Sequence, residues 1–223
     1  MKQLVFTACL MALLSVEGFA QDQKYIDGIP ADVYYLMPDF ADGIVYFYSQ
    51  APAKGKLNIC AVDQTLRFMD KDGKELQANE DQGISKVRID TVWFLKSPEA
   101  FYRMYPVTSD SGIALRREVK IVSDAKEIAF GMTSQTGAIK TINKVYSDGV
   151  SVDITKEKRY PYEITELIYL YKGNAVAAFN KKSLKKVFPA KKAEIDEYFN
   201  THKALPKTLE KALPLVAGWA KTE

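Results

Sequence analysis

Short runs of β-branched and aromatic residues alternate with turn-forming residues from residue 34 to residue 179. Within the runs, apolar and polar residues often alternate; Leu57 and Ile59, for example, flank Asn58. A period of two residues is typical of β-strands that bury one face. The predicted strands are 44–48, 56–62, 65–69, 74–76, 86–89, 91–95, 101–107, 113–122, 139–146, 150–154, 163–171 and 175–179.

Turn-forming residues separate many of these predicted strands. They are Asp70-Lys71-Asp72-Gly73, Ser109-Asp110-Ser111-Gly112, Asp148-Gly149 and Gly173-Asn174. Strands joined by such tight turns run antiparallel, and no strand-helix-strand repeat is evident. The pattern predicts an antiparallel meander that folds as a sandwich or an open barrel.

The chain changes character near residue 181, where the hydrophobic period becomes that of amphipathic helices. One predicted helix presents Ile195, Tyr198, Phe199 and His202 on one face, and a second, starting at Pro206, presents Leu209, Leu213, Val216 and Trp219. Ser183 is a candidate cap and Pro189 suits the first position of a helix, whereas Pro214 is expected to bend or break the second helix. We therefore expect a mainly β chain with C-terminal helices (α+β), divided into a β-rich domain at 21–180 and a helical segment at 181–223.

The N-terminus carries the three parts of a secretory signal peptide. Met1-Lys2 precedes an apolar stretch from residue 4 to residue 14, and Gly18-Phe19-Ala20 supplies small residues for cleavage after Ala20. The apolar stretch is shorter than the roughly 20 residues that span a bilayer. Residues 1–20 therefore predict an exported, soluble protein of the periplasm or the cell exterior. Lipidation of Cys9 is the competing interpretation, and it is disfavoured because Cys9 lies inside the apolar stretch.

Composition excludes several classes of chemistry. The formal net charge is +3, from 31 basic and 28 acidic side chains, which is too even a balance for a nucleic-acid-binding protein. Once the signal peptide is removed, Cys60 is the only cysteine, so no internal disulfide is expected. His202 is the only histidine, which argues against multi-histidine zinc sites and most histidine-based catalysis. We therefore assign no catalytic residue, metal ligand or cofactor, and expect a protein that is not an enzyme.

Two local motifs have a structural and a chemical interpretation. Asp70-Lys71-Asp72-Gly73 begins like a calcium loop, but its glycine comes at the fourth position instead of the sixth, which favours a hairpin turn. Ser183 and Lys186 match the Ser-x-x-Lys of penicillin-recognising enzymes. No Lys-Thr-Gly element accompanies that motif, so a helix cap is favoured for Ser183.

Aromatic residues are the main candidates for a binding surface. The candidates are Tyr46, Tyr48, Trp93 and Tyr102, which lie in strands with apolar residues on both faces. Such a strand is either covered by the protein on both faces, or it has one face that is free to bind a partner. Core packing is the alternative interpretation for the same rings. Cys60 is expected to be buried, and His202 to complete packing beside Phe199 or to form a local hydrogen bond near a helix end.

A run of lysines precedes the terminal helices: Lys181, Lys182, Lys185, Lys186, Lys191 and Lys192. This run is compatible with contact to anionic lipid or polysaccharide. A solvated helix face is the favoured interpretation, as for most charge runs.

Three stretches resemble exported proteins of Gram-negative bacteria that form a group of uncharacterised function. They are residues 43–47 (GIVYF), residues 56–58 and 66–70 (KLN and LRFMD), and residues 182–189 (KSLKKVFP). The resemblance implies export and a β-meander with a helical tail, and it transfers no catalytic residue.

The leading hypothesis is a binding or interaction module of the bacterial envelope, whose partner is an envelope protein, a glycan or a lipid. One alternative is a glycan-acting hydrolase that uses two carboxylates and no histidine. The available acids are Asp27, Asp32, Asp39, Asp42 and Glu163, and no spacing singles out a pair. A purely structural envelope component is the other alternative.

Overall fold

The computed structural model describes residues 25–79, 83–121, 144–147, 150–153 and 160–220. The predicted signal peptide, its cleavage site after Ala20 and Cys9 lie outside the described residues, as do residues 139–143 of one predicted strand and the Asp148-Gly149 turn. Within the described ranges the chain is mostly β and ends in helices, which confirms the predicted fold class.

Two short N-terminal elements were not predicted from the sequence. The hairpin of β1 (Tyr25–Ile26) and β2 (Ile29–Pro30) turns at Asp27 and Gly28, which have φ values of 49° and 77°. A single helical turn, α1 (Ala31–Tyr34), follows directly. Elements of two to four residues are too short to show a hydrophobic period, so the alternating pattern does not reveal them.

Ten antiparallel strands form the main sheet. In chain order the further strands are β3 (Ala41–Phe47), β4 (Ala53–Ile59), β5 (Leu66–Met69), β6 (Glu75–Gln77), β7 (Ile84–Ile89), β8 (Val92–Ser97), β9 (Ala100–Pro106), β10 (Ser111–Ile121), β11 (Lys144–Ser147), β12 (Val150–Asp153), β13 (Tyr162–Lys172) and β14 (Ala175–Ala178). The sheet order is β14-β13-β10-β9-β8-β7-β3-β4-β5-β6, and β11 and β12 form a separate hairpin. The sheet therefore consists of two meanders, β3–β6 and β7–β10, joined where β3 pairs with β7, and it is extended by β13 and β14.

One side of the sheet, here called the inner face, carries the main β core. Val45, Val87, Phe94 and Leu57 belong to it: Val45 pairs with Val87 and Val87 with Phe94, so their side chains point the same way. All four are buried in one cluster with Phe101. The opposite side is called the outer face.

The turn between β4 and β5 lies against β9 and β10. Gln64, in this turn, donates from Nε2 to the carbonyl of Arg117 on β10 at 2.9 Å. Its Oε1 accepts a bond of 3.3 Å from the backbone N–H of Phe101 on β9. Since β4 and β9 are separated in the sheet by β3, β7 and β8, these contacts show that the sheet curls strongly.

The C-terminal helices cover the inner face at β10 and β13. They are α2 (Lys181–Val187), a 3₁₀ turn at Pro189–Lys191, α3 (Lys192–Thr201) and α4 (Leu209–Ala220). Their apolar side chains pack in one cluster with Ile113 of β10 and Leu170 of β13, which neighbour each other in the sheet. Leu184, Ile195, Val216 and Trp219 are the main helical contributors.

Several predicted helix boundaries are wrong. Asn180 caps α2, because its Oδ1 accepts a bond of 2.9 Å from the backbone N–H of Ser183, so Ser183 is inside the helix and is not the cap. The last helix begins at Leu209 and not at Pro206. Its first turn is closed by a hydrogen bond from the backbone N–H of Ala212 to the carbonyl of Thr208. The helix also continues through Pro214 to Ala220, so of the bend or break expected at Pro214, the break does not occur.

In the described part of the chain, no helix is both long enough and apolar enough to cross a membrane.

Candidate functional site

Three of the four predicted binding residues lie on the outer face of the sheet. The strand register places Tyr46 of β3 opposite Lys86 of β7, Lys86 opposite Leu95 of β8, and Leu95 opposite Tyr102 of β9. Residues paired across neighbouring strands point to the same side, so these four side chains form one row. In the adjacent row Arg88 of β7 pairs with Trp93 of β8.

Tyr46 and Trp93 meet above the strand that separates them. Their ring centroids are 5.5 Å apart and the ring planes differ by 26°, which is a stacked arrangement. The strands that carry them, β3 and β8, lie on opposite sides of β7, about 10 Å apart at the usual spacing of sheet strands. The two rings therefore lean over β7. We call Tyr46, Lys86, Arg88 and Trp93 the aromatic–cation surface.

The two cations of this surface are held against the rings. Lys86 Nζ lies 5.9 Å from the Tyr46 centroid and 5.6 Å from the Trp93 centroid, and Arg88 Cζ lies 5.8 Å from the Trp93 centroid. Cation–π contacts of this kind contribute about 0.5 to 1 kcal/mol each at exposed sites. They restrict the positions of both cations, which stand two residues apart on β7.

Lys86 and Arg88 form no ion pair with an acidic side chain in the described ranges of the chain. Three other cations of the sheet, Lys56, Arg67 and Arg116, do have acidic partners; Lys56 Nζ, for example, lies 3.2 Å from Asp42 Oδ1. All four residues of the aromatic–cation surface are half-buried, so parts of the rings and cations face solvent. Within the described ranges, the surface thus presents two cations without acidic partners beside flat apolar rings.

Tyr102 lies in the same row as Tyr46 but is largely covered. Its side chain is 5% exposed and packs with Leu95, Ala114 and Tyr171. Its ring meets that of Tyr169 edge to face, with centroids 5.0 Å apart. Burial raises the pKa of the Tyr102 hydroxyl. This placement gives Tyr102 a packing role at the border of the aromatic–cation surface.

Tyr48 lies beyond an irregularity in the sheet. The β3–β7 register shifts between Tyr46 and Phe47, where β7 contains one additional residue, Ser85. The Oγ of Ser85 donates a hydrogen bond of 3.0 Å to the Tyr46 carbonyl. Tyr48 is 64% exposed, the most exposed large hydrophobic side chain among the described residues. It borders a cavity of about 240 Å³ together with Lys96 and Pro98. Tyr48 is therefore accessible but is not part of the aromatic–cation surface.

The candidate carboxylates are spread over separate elements. Tyr34 Oη donates to Asp27 at 3.3 Å in the N-terminal hairpin, and Asp42 pairs with Lys56 on β3 and β4. Asp32 belongs to α1, Asp39 is exposed between α1 and β3, and Glu163 is exposed on β13. No three or more His, Cys, Asp or Glu side chains are grouped to hold a metal ion where the chain is described.

The Asp70-Lys71-Asp72-Gly73 segment forms the predicted turn between β5 and β6. Asp70 Oδ1 accepts bonds from the backbone N–H groups of Asp72 and Lys74, at 2.9 and 2.8 Å. Gly73 has a φ of 75°, in the left-handed region that favours glycine. The residues of this motif therefore stabilise the turn itself.

The lone cysteine and the lone histidine occupy different environments. Cys60 is fully buried, as predicted, and burial raises the pKa of its thiol. His202, by contrast, is exposed at the C-terminal cap of α3, and its packing contact is with Tyr198 of the predicted apolar face. Its ring stacks on Tyr198, with centroids 4.2 Å apart, and Nδ1 lies 2.8 Å from Thr201 Oγ1, which confirms a local hydrogen bond near a helix end.

The lysine run is partly neutralised by α3. Lys181 and Lys185 place Nζ at 2.7 and 2.6 Å from the same oxygen of Asp196. Hydrogen bonds from Lys181 and Lys185 lower the pKa of the Asp196 carboxyl. Lys191 similarly pairs with Glu194 at 2.6 Å. The run therefore connects α2 to α3 and is more than a solvated face.

Lys86 and Arg88 were not singled out from the sequence. Their signal is the alternation of Lys86 and Arg88 with Val87 and Ile89, which places both cations on the face opposite the core. Comparison of the chain with protein-family models, with curated proteins and with solved structures found no match.

Proposed function

We propose that this chain is an exported binding module of the bacterial envelope, and that its aromatic–cation surface contacts an anionic saccharide. Export rests on the signal-peptide pattern of residues 1–20. The observation that carries the choice of ligand is the pairing of Lys86 and Arg88 with the stacked rings of Tyr46 and Trp93.

The chemistry of the surface matches both parts of such a ligand. A guanidinium and an ammonium donate charge-assisted hydrogen bonds to carboxylate, phosphate or sulfate groups. The carbon-bound hydrogens of a sugar ring form an apolar face, which packs on the exposed part of an aromatic ring. Tyr, Trp and Arg are also the residue types that most often dominate binding energies at interfaces.

The geometry favours a ligand with more than one anionic group. Lys86 and Arg88 are two residues apart on β7, so their backbones are about 6.6 Å apart along the strand. Because the cations rest against rings on a central strand of the sheet, little conformational freedom is lost when a ligand binds them. A linear saccharide with regularly spaced acidic groups fits this arrangement better than an isolated anion.

Isothermal titration calorimetry with an oligogalacturonate and with a neutral cello-oligosaccharide of equal length tests the proposal. We expect the acidic oligosaccharide to bind, the neutral one to bind at least tenfold more weakly, and the affinity to fall as the ionic strength rises from about 0.05 M to about 0.5 M. The double variant Lys86→Gln/Arg88→Gln is expected to lose at least tenfold in affinity, and Trp93→Ala a similar factor.

Lys120→Gln is the matched control, because Lys120 is an exposed lysine on β10, away from the aromatic–cation surface. Its affinity is expected to stay within twofold of the wild type. Circular dichroism of each variant separates a lost contact from a lost fold. The proposal is wrong if the wild type binds neither oligosaccharide, or if a folded double variant binds the acidic one as well as the wild type does.

A further inference from the structure

A second candidate site lies on the inner face, behind the aromatic–cation surface. A cleft of about 340 Å³ extends from β7 across β3 and β4 to β5. Val45 and Phe47 of β3 line it, whereas Ile44 and Tyr46 of the same strand point to the outer face. Its apolar lining consists mainly of Val45, Phe47, Leu57, Leu66, Phe68 and Ile84.

The cleft opens to solvent on one side. Of its lining residues, Lys54, Gln77 and Asn79 are exposed and mark the mouth, whereas Val45, Leu57, Leu66 and Ile84 are buried and form the floor. Among the residues that the structure describes, those that line the cleft include no acidic side chain. An apolar interior with a polar, water-accessible mouth matches a ligand that has one apolar and one polar end.

Gly55 leaves part of this space open. It lies in β4 and lines the cleft. Of the described residues, a Cβ atom placed on it would meet only Leu57, whose Cδ2 would be at an ordinary contact distance of 3.7 Å. Its register partner Gly43 is different, because a Cβ there would come within 2.6 Å of the Arg88 carbonyl. Close approach of the backbone therefore requires glycine at position 43, whereas at position 55 the fold does not.

We infer that the cleft binds a single hydrocarbon chain of an amphiphile, with the polar end at the mouth. Apolar cavities of about 150 Å³ hold benzene, so a cleft of about 340 Å³ accommodates a chain of roughly twelve carbons. The inference does not depend on the proposed saccharide surface, since the two sites use opposite faces of β3. The chain has two possible sources, a free fatty acid or the acyl group of a lipid.

Calorimetric titration with dodecanoate and with 1-dodecanoyl-lysophosphatidylcholine, each below its micelle-forming concentration, tests the inference and separates the sources. Binding of both identifies the acyl chain as the recognised part, and binding of only one identifies the source. Hexanoate is expected to bind at least tenfold more weakly than dodecanoate. Failure of the wild type to bind either dodecanoyl compound overturns the inference.

Gly55→Leu fills the cleft and is expected to weaken dodecanoate binding at least tenfold. The matched control is Gly218→Leu, at a position of α4 where an added Cβ meets nothing within 4 Å, and it is expected to bind as the wild type does. Phe68→Ala enlarges the cleft and is expected to shift the preference towards chains longer than dodecanoate. Unchanged dodecanoate binding by folded Gly55→Leu, or an unchanged chain-length preference in Phe68→Ala, contradicts the inference.

Lys86→Gln/Arg88→Gln separates the two proposals. This variant is expected to keep its affinity for dodecanoate while it loses its affinity for the oligogalacturonate. Gly55→Leu is expected to show the opposite pattern.

Discussion

Gln64 is bonded to Arg117 across the curl of the sheet, its Nε2 lying 2.9 Å from the Arg117 carbonyl. The same amide donates to the Ala61 carbonyl at 2.9 Å and accepts from the Phe101 backbone N–H at 3.3 Å. Its side chain is 7% exposed, and its backbone has a φ of 57°. One buried side chain therefore joins the β4–β5 turn to β9 and β10.

Gln64→Ala is expected to lower the free energy of unfolding by about 2 to 4 kcal/mol, because it leaves buried backbone groups of Phe101 and Arg117 without this partner. Urea denaturation followed by circular dichroism measures the change. Gln77→Ala, at an exposed position of the edge strand β6, is the control and is expected to change stability by less than about 0.5 kcal/mol. Equal stability of the two variants would contradict the role given to Gln64.

Gly43→Ala is expected to destabilise the fold by at least about 2 kcal/mol, since the added methyl group meets the Arg88 carbonyl and forces β3 away from β7. A Cβ at this position would lie 2.6 Å from that oxygen and 2.7 Å from Leu57 Cδ1. The measurement is thermal or urea unfolding alongside Gly55→Ala, in which the methyl group makes an ordinary contact. Gly55→Ala is expected to remain within about 1 kcal/mol of the wild type.

Asn180→Ala is expected to cost about 1 kcal/mol, the usual effect of removing a helix cap. Ser183→Ala should change stability by less than about 0.5 kcal/mol, because the Ser183 backbone N–H, and not its hydroxyl, makes the capping bond. Chemical denaturation of both variants compares the two positions. A larger loss in Ser183→Ala than in Asn180→Ala would restore the sequence-based assignment of Ser183 as the cap.

Asp63 is expected to contribute stability that is lost in acid. Partial burial acts to raise the pKa of its carboxyl, but hydrogen bonds from Thr65 and Cys60 and the charge of Arg67 outweigh burial, so the pKa lies below its ordinary value of 3.8. A carboxyl with a lowered pKa in the folded state stabilises the fold above its unfolded pKa, and this stabilisation disappears as the pH falls through the folded value.

The stability difference between wild type and Asp63→Asn should therefore be largest above about pH 4 and shrink below it. Urea unfolding at a series of pH values measures this difference. Asp72→Asn, in the exposed β5–β6 turn, provides the comparison. A difference that grows as the pH falls would contradict the assignment.

Local patterns predicted most of the strands and turns. For β4, the alternation of Leu57 and Ile59 with polar residues correctly gave a strand, but not one buried face, because Asn58 is also buried and is bonded to the backbone of Met37. The pairing of β3 with β7 was not predicted, because a hydrophobic period shows which face of a strand is buried but not which distant strand lies beside it. Helix ends were also uncertain, since Asn180 and Ser183 are both favoured capping residues.

The candidate sites were harder to predict than the fold. Aromatic composition pointed to Tyr46 and Trp93, and the structure brings their rings together, but Tyr102 looked equivalent in sequence and is buried by neighbours from β10 and β13. The apolar cleft left no sequence signal, because it results from the curl of the sheet and from the small size of Gly55. Shape of this kind depends on contacts between residues that are far apart in the chain.

The position of β3 between β7 and β4 has a consequence for how the chain folds. Each meander consists of strands joined by short connections, so its local hairpins can form rapidly. The pairing of Val45 with Val87 instead requires β3 and β7 to meet across the whole first meander and its connection to β7. Closing this longer loop has a higher entropy cost. The pairing of β10 with β13 closes a longer stretch of chain still, from Ile121 to Tyr162. These two pairings are therefore expected to limit the folding rate, and they determine how long unpaired strand edges stay open to aggregation.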